Sequence, residues 1–189
     1  MNDPLTIIFN IVVNIALIII FLRFMFQFAD IEKNHPYAKV TYNLSAVVTV
    51  FGRIFPDLDK GRISLSAIVL MLLLTYIKIA GMASILNKPM DALTFFFAGT
   101  LSAILSFVGM LKYIIIGSVI CSWVILLANK MHPVMDLIMQ MAEPIIAPFR
   151  RITPNLGMLD FSTLVAILAL ALIEIFIEVI GTNILERLG

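Results

Sequence analysis

A chain of 189 residues that is 61% hydrophobic and only 13% charged does not read as a soluble domain, in which about 25% of residues are charged. A net charge of +1, with no basic patch and no interleaving of aromatic with basic residues, argues against a nucleic-acid partner. The single cysteine, Cys121, can form no internal disulfide and no thiolate cluster, and His35 and His132 are too few for a protein-only metal cage; no metal and no cofactor is expected.

The first apolar run covers residues 5–28, long enough to cross a membrane. Its first basic residue is Arg23, so it lacks the basic start of a secretory signal and reads as a retained span. Pro36 then opens a loop-side helix, since a first helical position needs no N–H. Over 36–53 the apolar Tyr37, Val40, Leu44, Val47, Val48 and Phe51 oppose Lys39, Asn43 and Arg53, the pattern of a helix lying in the membrane interface. An Arg-x-x-Pro turn, Arg53 to Pro56, leads to a second span at about 64–86.

The stretch from Asp91 to Lys130 is too long for one spanning helix and barely long enough for two. It predicts a short interfacial helix over about 92–106, followed by a span at 108–129. Pro133 opens a second amphipathic segment, 133–151, with Val134, Leu137, Ile138, Met141, Ile145 and Phe149 on one face and Asp136, Gln140, Glu143 and Arg150 opposite. Pro144 and Pro148 predict an interruption there, because an interior proline costs about 3 kcal/mol and a hydrogen bond. Pro154 and Gly157 sit at turn positions. Asp160 or Ser162 can cap the last span, at about 163–183. The expected fold is an all-α polytopic membrane bundle of four transmembrane helices.

Residues 45–74 align without a gap on residues 143–172. Phe51 falls on Phe149, Arg53 on Arg151, Pro56 on Pro154 and Ser64 on Ser162. The chain therefore reads as two copies of one unit, 1–91 and 92–189, each of span, His-Pro, amphipathic segment, turn and span. With two spans per unit both copies insert the same way up, and their pseudo-twofold axis lies along the membrane normal. Lys33, Lys39, Arg53, Lys60 and Arg62 cluster in one long loop and Lys130, Arg150 and Arg151 in the other, against only Lys88 and Arg187 opposite. The positive-inside rule puts both long loops in the cytoplasm and both termini outside.

Pro144, Pro148, Arg150, Arg151, Pro154, Gly157, Asp160 and Ser162 form a pattern, P-x-x-x-P-x-R-R-x-x-P-x-x-G-x-x-D-x-S, that resembles the signature of the YggT (YlmG) family of small integral membrane proteins. Length, span number and duplication fit the resemblance across the whole chain. The first copy departs from it: Ala46 and Val50 replace the two prolines and Gly52 the first arginine. The resemblance implies a bacterial inner-membrane or plastid protein without a settled activity. Members are associated with envelope organisation and cell division, with cytochrome b6 haem attachment and nucleoid distribution in plastids, and with osmotic and ion homeostasis.

Lys78, Glu174 and Glu178 lie within spans, where a charge costs about 2.5–3.5 kcal/mol and by default faces the bundle interior. Glu174 and Glu178 share a helix face. In the repeat register Lys78 falls between them, which predicts an ion pair from Lys78 to one glutamate; the other carboxylate would then reach Asn10, Asn14 or Lys112. Packing alone, an ion or proton pathway, and snorkelling to the interface are the alternative roles. His35 and His132 each precede a helix-opening proline; a solvated capping role and ligation of a metal or haem both fit that position.

No nucleophile–base or H-E-x-x-H arrangement is present, so no catalytic residue is assigned and no enzyme is expected. Two functions compete. One is a scaffold or assembly factor that docks membrane lipids and other membrane proteins through the Arg53–Pro56 and Pro144–Ser162 loops. The other is a small ion or osmolyte channel or transporter subunit built on the Lys/Glu cluster. A thin four-helix pore would need homo-oligomers.

Overall fold

The computed structural model describes residues 4–32, 35–88, 90–153 and 161–188. Pro154, Gly157 and Asp160 lie outside them. The chain is all-helical: α1 (Pro4–Phe28), α2 (Pro36–Leu44), α3 (Ala46–Phe51), a 3-10 turn (Asp59–Gly61), α4 (Leu65–Ile85), α5 (Ala92–Ala128), α6 (Pro133–Arg150) and α7 (Phe161–Leu188). Four of these helices, α1, α4, α5 and α7, are long and apolar enough to cross a membrane. Helix α1 packs on α4 and α5 on α7, while α5 also touches α4 and α6. The core runs from Leu17, Phe21 and Met25 of α1 through Leu70 and Met71 of α4 and Ile115 of α5 to Met141 and Ile146 of α6. Phe107 of α5 meets Phe21 and Phe24 edge-on, at 5.7 and 5.4 Å between centroids. These aromatic contacts tie the two halves together.

The structure corrects two sequence expectations. The predicted interfacial helix at 92–106 and the span at 108–129 are one continuous helix, α5, of 37 residues. Asp91 caps its start by accepting from the N–H groups of Leu93 and Thr94, and Asn129 closes it in the left-handed conformation. Those hydrogen bonds hold the Asp91 carboxyl below the ordinary carboxylate range, Thr94 contributing most. No proline lies between the caps, and a glycine inside a helix costs only about 1 kcal/mol, so nothing in the chain breaks the hydrogen-bond ladder. At 1.5 Å per residue α5 is roughly 55 Å long, nearly twice the hydrocarbon core of a bilayer.

The second correction concerns α6, which runs unbroken through both Pro144 and Pro148. Each interior proline costs about 3 kcal/mol. Leu137, Met141, Ala142 and Ile146 are buried against α5 and α7, and each large apolar side chain so buried contributes about 1.5–3 kcal/mol. Tertiary packing therefore outweighs the local penalty. The first half behaves in the opposite way. It has no proline between Pro36 and Phe51, yet its loop-side helix breaks at Ser45 into α2 and α3.

Close helix contacts occur at small residues, as expected where lipid removes the hydrophobic drive for association. A Cβ at Gly99 would overlap the ring of Tyr76, and one at Gly181 the side chain of Leu101. The Tyr76 hydroxyl is itself bonded to the Phe96 carbonyl, at 3.0 Å, and to the Thr100 hydroxyl, at 2.8 Å. Gly99→Val should therefore push α4 from α5 and cost about 1–3 kcal/mol, measured as reduced resistance to unfolding in mixed micelles. A variant as stable as wild type would mean that the Tyr76 ring rotates away freely.

Candidate functional site

The break between α2 and α3 coincides with the burial of Arg23. This residue lies five residues before the end of α1, only 8% exposed. Its guanidinium donates to the Ser45 carbonyl at 3.0 Å and to the Thr49 hydroxyl at 2.9 Å, with longer bonds of 3.4 Å to the Tyr42 carbonyl and the Ser45 hydroxyl. Its carbon stands 4.8 Å from the centroid of the Tyr42 ring. The last carbonyls of a helix are short of intrahelical donors, and a cation is favoured there by the helix dipole. Arg23 adds donors to the Tyr42 and Ser45 carbonyls at this break. Burial pushes the Tyr42 phenol up from its ordinary range; Arg23 opposes this and Asp57 adds to it.

Around Arg23 opens a polar cavity of about 980 Å³. Its deeper wall is formed by buried Arg23, Phe26, Val48, Ser64 and Ser66, and its mouth by exposed Asp30, Arg53, Asp57, Asp59 and Arg62. The Gln27 amide donates to Asp57 at 2.7 Å and to the Gly61 carbonyl at 2.6 Å, which pins the α3–α4 turn to α1. Asp59 and Gly61 adopt positive φ, and Leu58 and Ile63 pair across that turn. The ion pair of Asp30 with Arg62 is long, 3.8 Å, and exposed, so it contributes little.

Where α5, α6 and α7 meet, a smaller cavity of about 390 Å³ is lined in part by Ser118, Trp123, Ala142, Glu143, Arg150 and Thr163. Glu143 and Arg150 pair across two turns of α6 at 2.6 Å.

Of the candidate docking residues, Arg53 lies at the mouth of the large cavity and Arg150 on the wall of the small one. Pro56 is exposed beside the 3-10 turn, Arg151 is exposed just past α6, Pro144 and Pro148 lie within α6, and Ser162 is buried in the first turn of α7. His132 caps α6, its Nδ1 accepting from the Val134 N–H at 3.3 Å. His35 precedes α2 without such a bond, its Nδ1 buried and unpartnered. Among the described residues no group of three His, Cys, Asp or Glu side chains is placed to hold a metal.

The intramembrane charges are paired differently from the expectation. Lys78 donates to Asn14 of α1 at 2.9 Å. Glu174 is paired with Lys112 of α5, and Glu178 is exposed on α7, where its main-chain carbonyl accepts from Thr182. Counted from the loop-side helix ends, Asn14, Lys78, Lys112 and Glu174 all lie about 20–24 Å along. Each helix pair, α1 with α4 and α5 with α7, thus carries one lysine bond at the same level. Arg23 and Gln27 were not among the site residues expected from the sequence. The available signal was a lone arginine inside an apolar run, which by default has an internal partner.

No solved structure matches the chain. The family profile described as CCB3/YggT matches residues 97–181. The chain is 24% identical over 174 residues to an uncharacterised Escherichia coli protein named YggT, covering 91% of this chain and 88% of that one. It is 28% identical over 160 residues to an uncharacterised Vibrio alginolyticus protein, covering 83% and 84%, and 28% identical over 167 residues to one of Pseudomonas aeruginosa, covering 87% and 83%. The chain has four membrane-length helices, and over most of α5, all of α6 and most of α7 it is similar to the CCB3/YggT family.

Proposed function

We propose that this is a non-enzymatic, multi-pass protein of the bacterial inner membrane that acts as a scaffold or assembly factor of the cell envelope. Its basic loops face the cytoplasm, both termini lie outside, and the two halves each contribute one loop-side surface. Its partners are membrane lipids and other membrane proteins, with a second copy of the chain as a further candidate.

The observation that carries this reading is the division of the polar groups into two classes. Deep in the bundle, Lys78 and Lys112 are each bound by one side chain of a neighbouring helix, so their polarity serves packing. At the loop-side end, the large cavity and the exposed Arg53, Arg62, Arg150 and Arg151 face outward. A docking protein needs such an end and no reactive constellation.

A photo-reactive amino acid at Ile152, which is exposed next to Arg151, should crosslink specific membrane proteins in intact cells. Arg150→Glu with Arg151→Glu should abolish that capture while helix content is unchanged. If capture is insensitive to both arginines, and liposomes carrying the protein pass ions in a manner abolished by Glu178→Gln, the scaffold reading falls and the channel-subunit reading replaces it.

A further inference from the structure

We propose that the cavity around Arg23 is a binding site for the head group of an amine-bearing zwitterionic phospholipid, its phosphate held by arginines and its primary ammonium by aspartates. The volume of about 980 Å³ is at the upper end of small-molecule sites. On its wall, Arg23 is more than nine-tenths buried and its Nε–H has no hydrogen-bond partner. A buried, charged donor left in that state is costly unless an acceptor is supplied. A planar guanidinium suits phosphate oxygens better than any other side chain.

The mouth adds Arg53 and Arg62, and also Asp30, Asp57 and Asp59. Three arginines against three carboxylates disfavour a ligand of one sign. A plain phosphate would meet the aspartates, and a plain amine would meet the arginines. A ligand with both charges a few bonds apart satisfies both sets. Gln27 engages one oxygen of Asp57, leaving the other available to an ammonium.

The surroundings favour a lipid over a soluble phosphoamine. Val47, Val50, Ile54 and Leu58 are exposed apolar residues of α3 and the following turn, next to this polar mouth. Arg23 lies about 7–8 Å inside the end of α1, close to head-group depth for a helix that spans the bilayer. The proposal rests on the loop-side end facing the membrane interface, as in the functional reading above.

The test uses the full chain purified in detergent and exposed to an equimolar mixture of phosphatidylethanolamine, phosphatidylcholine and phosphatidylglycerol with identical acyl chains, with bound lipid read by native mass spectrometry. Phosphatidylethanolamine should be retained preferentially. Arg53→Gln and Asp59→Asn, both exposed and outside the core, should each weaken its retention about tenfold, the loss of one charge-assisted bond. Equal retention of phosphatidylcholine would remove the ammonium–aspartate part, and equal retention of phosphatidylglycerol would reduce the cavity to an anion site; either result overturns the proposal. Displacement by glycerophosphoethanolamine as efficient as by the lipid would overturn the lipid assignment. A separate measurement, labelling of Ile54→Cys in a Cys121→Ser background from each side of sealed vesicles, tests the orientation. Its failure would sink the topology while leaving the detergent result standing.

Discussion

Glu174→Leu should destabilise the bundle by about 3 kcal/mol. The substitution leaves the Lys112 ammonium without its partner, in a helix whose exposed faces meet hydrocarbon. Lys112→Leu should cost a similar amount by stranding the carboxylate. The double replacement, Lys112→Leu with Glu174→Leu, should lie within about 1 kcal/mol of wild type, because two apolar side chains remove both desolvation costs together. Reversible unfolding in mixed micelles, followed by helix content, measures all three. A double variant no better than the worse single would show that the two residues act independently. Glu178→Leu serves as the contrast: the residue is exposed on α7, so its loss should change stability little.

The second large effect is expected at Arg23. Arg23→Leu takes the donor from the Ser45 carbonyl and the Thr49 hydroxyl and should cost about 3 kcal/mol. Each bond to a charged group contributes about 1.5–3 kcal/mol, and the relief of burying a cation offsets part of the sum. The damage should be local. Hydrogen exchange should quicken at the amides of Val48 and Gly52, which bond to Ser45 and Val48 in the α2–α3 segment, and stay unchanged in α6. Arg23→Lys keeps the charge but not the fork, so it should recover only part of the loss. Unaltered protection of α2 and α3 in Arg23→Leu would mean that the helix break does not depend on this side chain.

These two sites also mark how far the chain could be read without its fold. The four spans were legible within a few residues at most ends, because length and hydropathy are local properties and a backbone in lipid has few options but a helix. The loop-side helices that begin at Pro36 and Pro133 were legible from those prolines, and the apolar positions Leu137 and Met141 from their spacing. Lys112 was among the partners offered for a glutamate and does pair with Glu174, but the pairing of Lys78 with Asn14 instead of a glutamate was not legible. Helical periodicity tells which residues share a face, but not which neighbouring helix that face meets. The repeat register brought Lys78 level with the glutamates, yet α4 turns it toward α1.

What the sequence determined by itself is the class of molecule: an all-helical chain with four membrane-length segments, its basic residues gathered in two long loops, and the family signature around Arg150 and Arg151. What the tertiary structure decided is continuity and company. Helix α5 runs on through the expected boundary near residue 107, α6 runs through two prolines, and the proline-free segment of the first half breaks at Ser45. The first follows from the lack of any breaker between the caps of α5; the other two reverse a local preference for the same reason. Local penalties of about 1–3 kcal/mol are smaller than the packing of a helix face against its neighbours, or than a buried guanidinium that donates to the carbonyls at a helix end, and those partners lie far away in the chain.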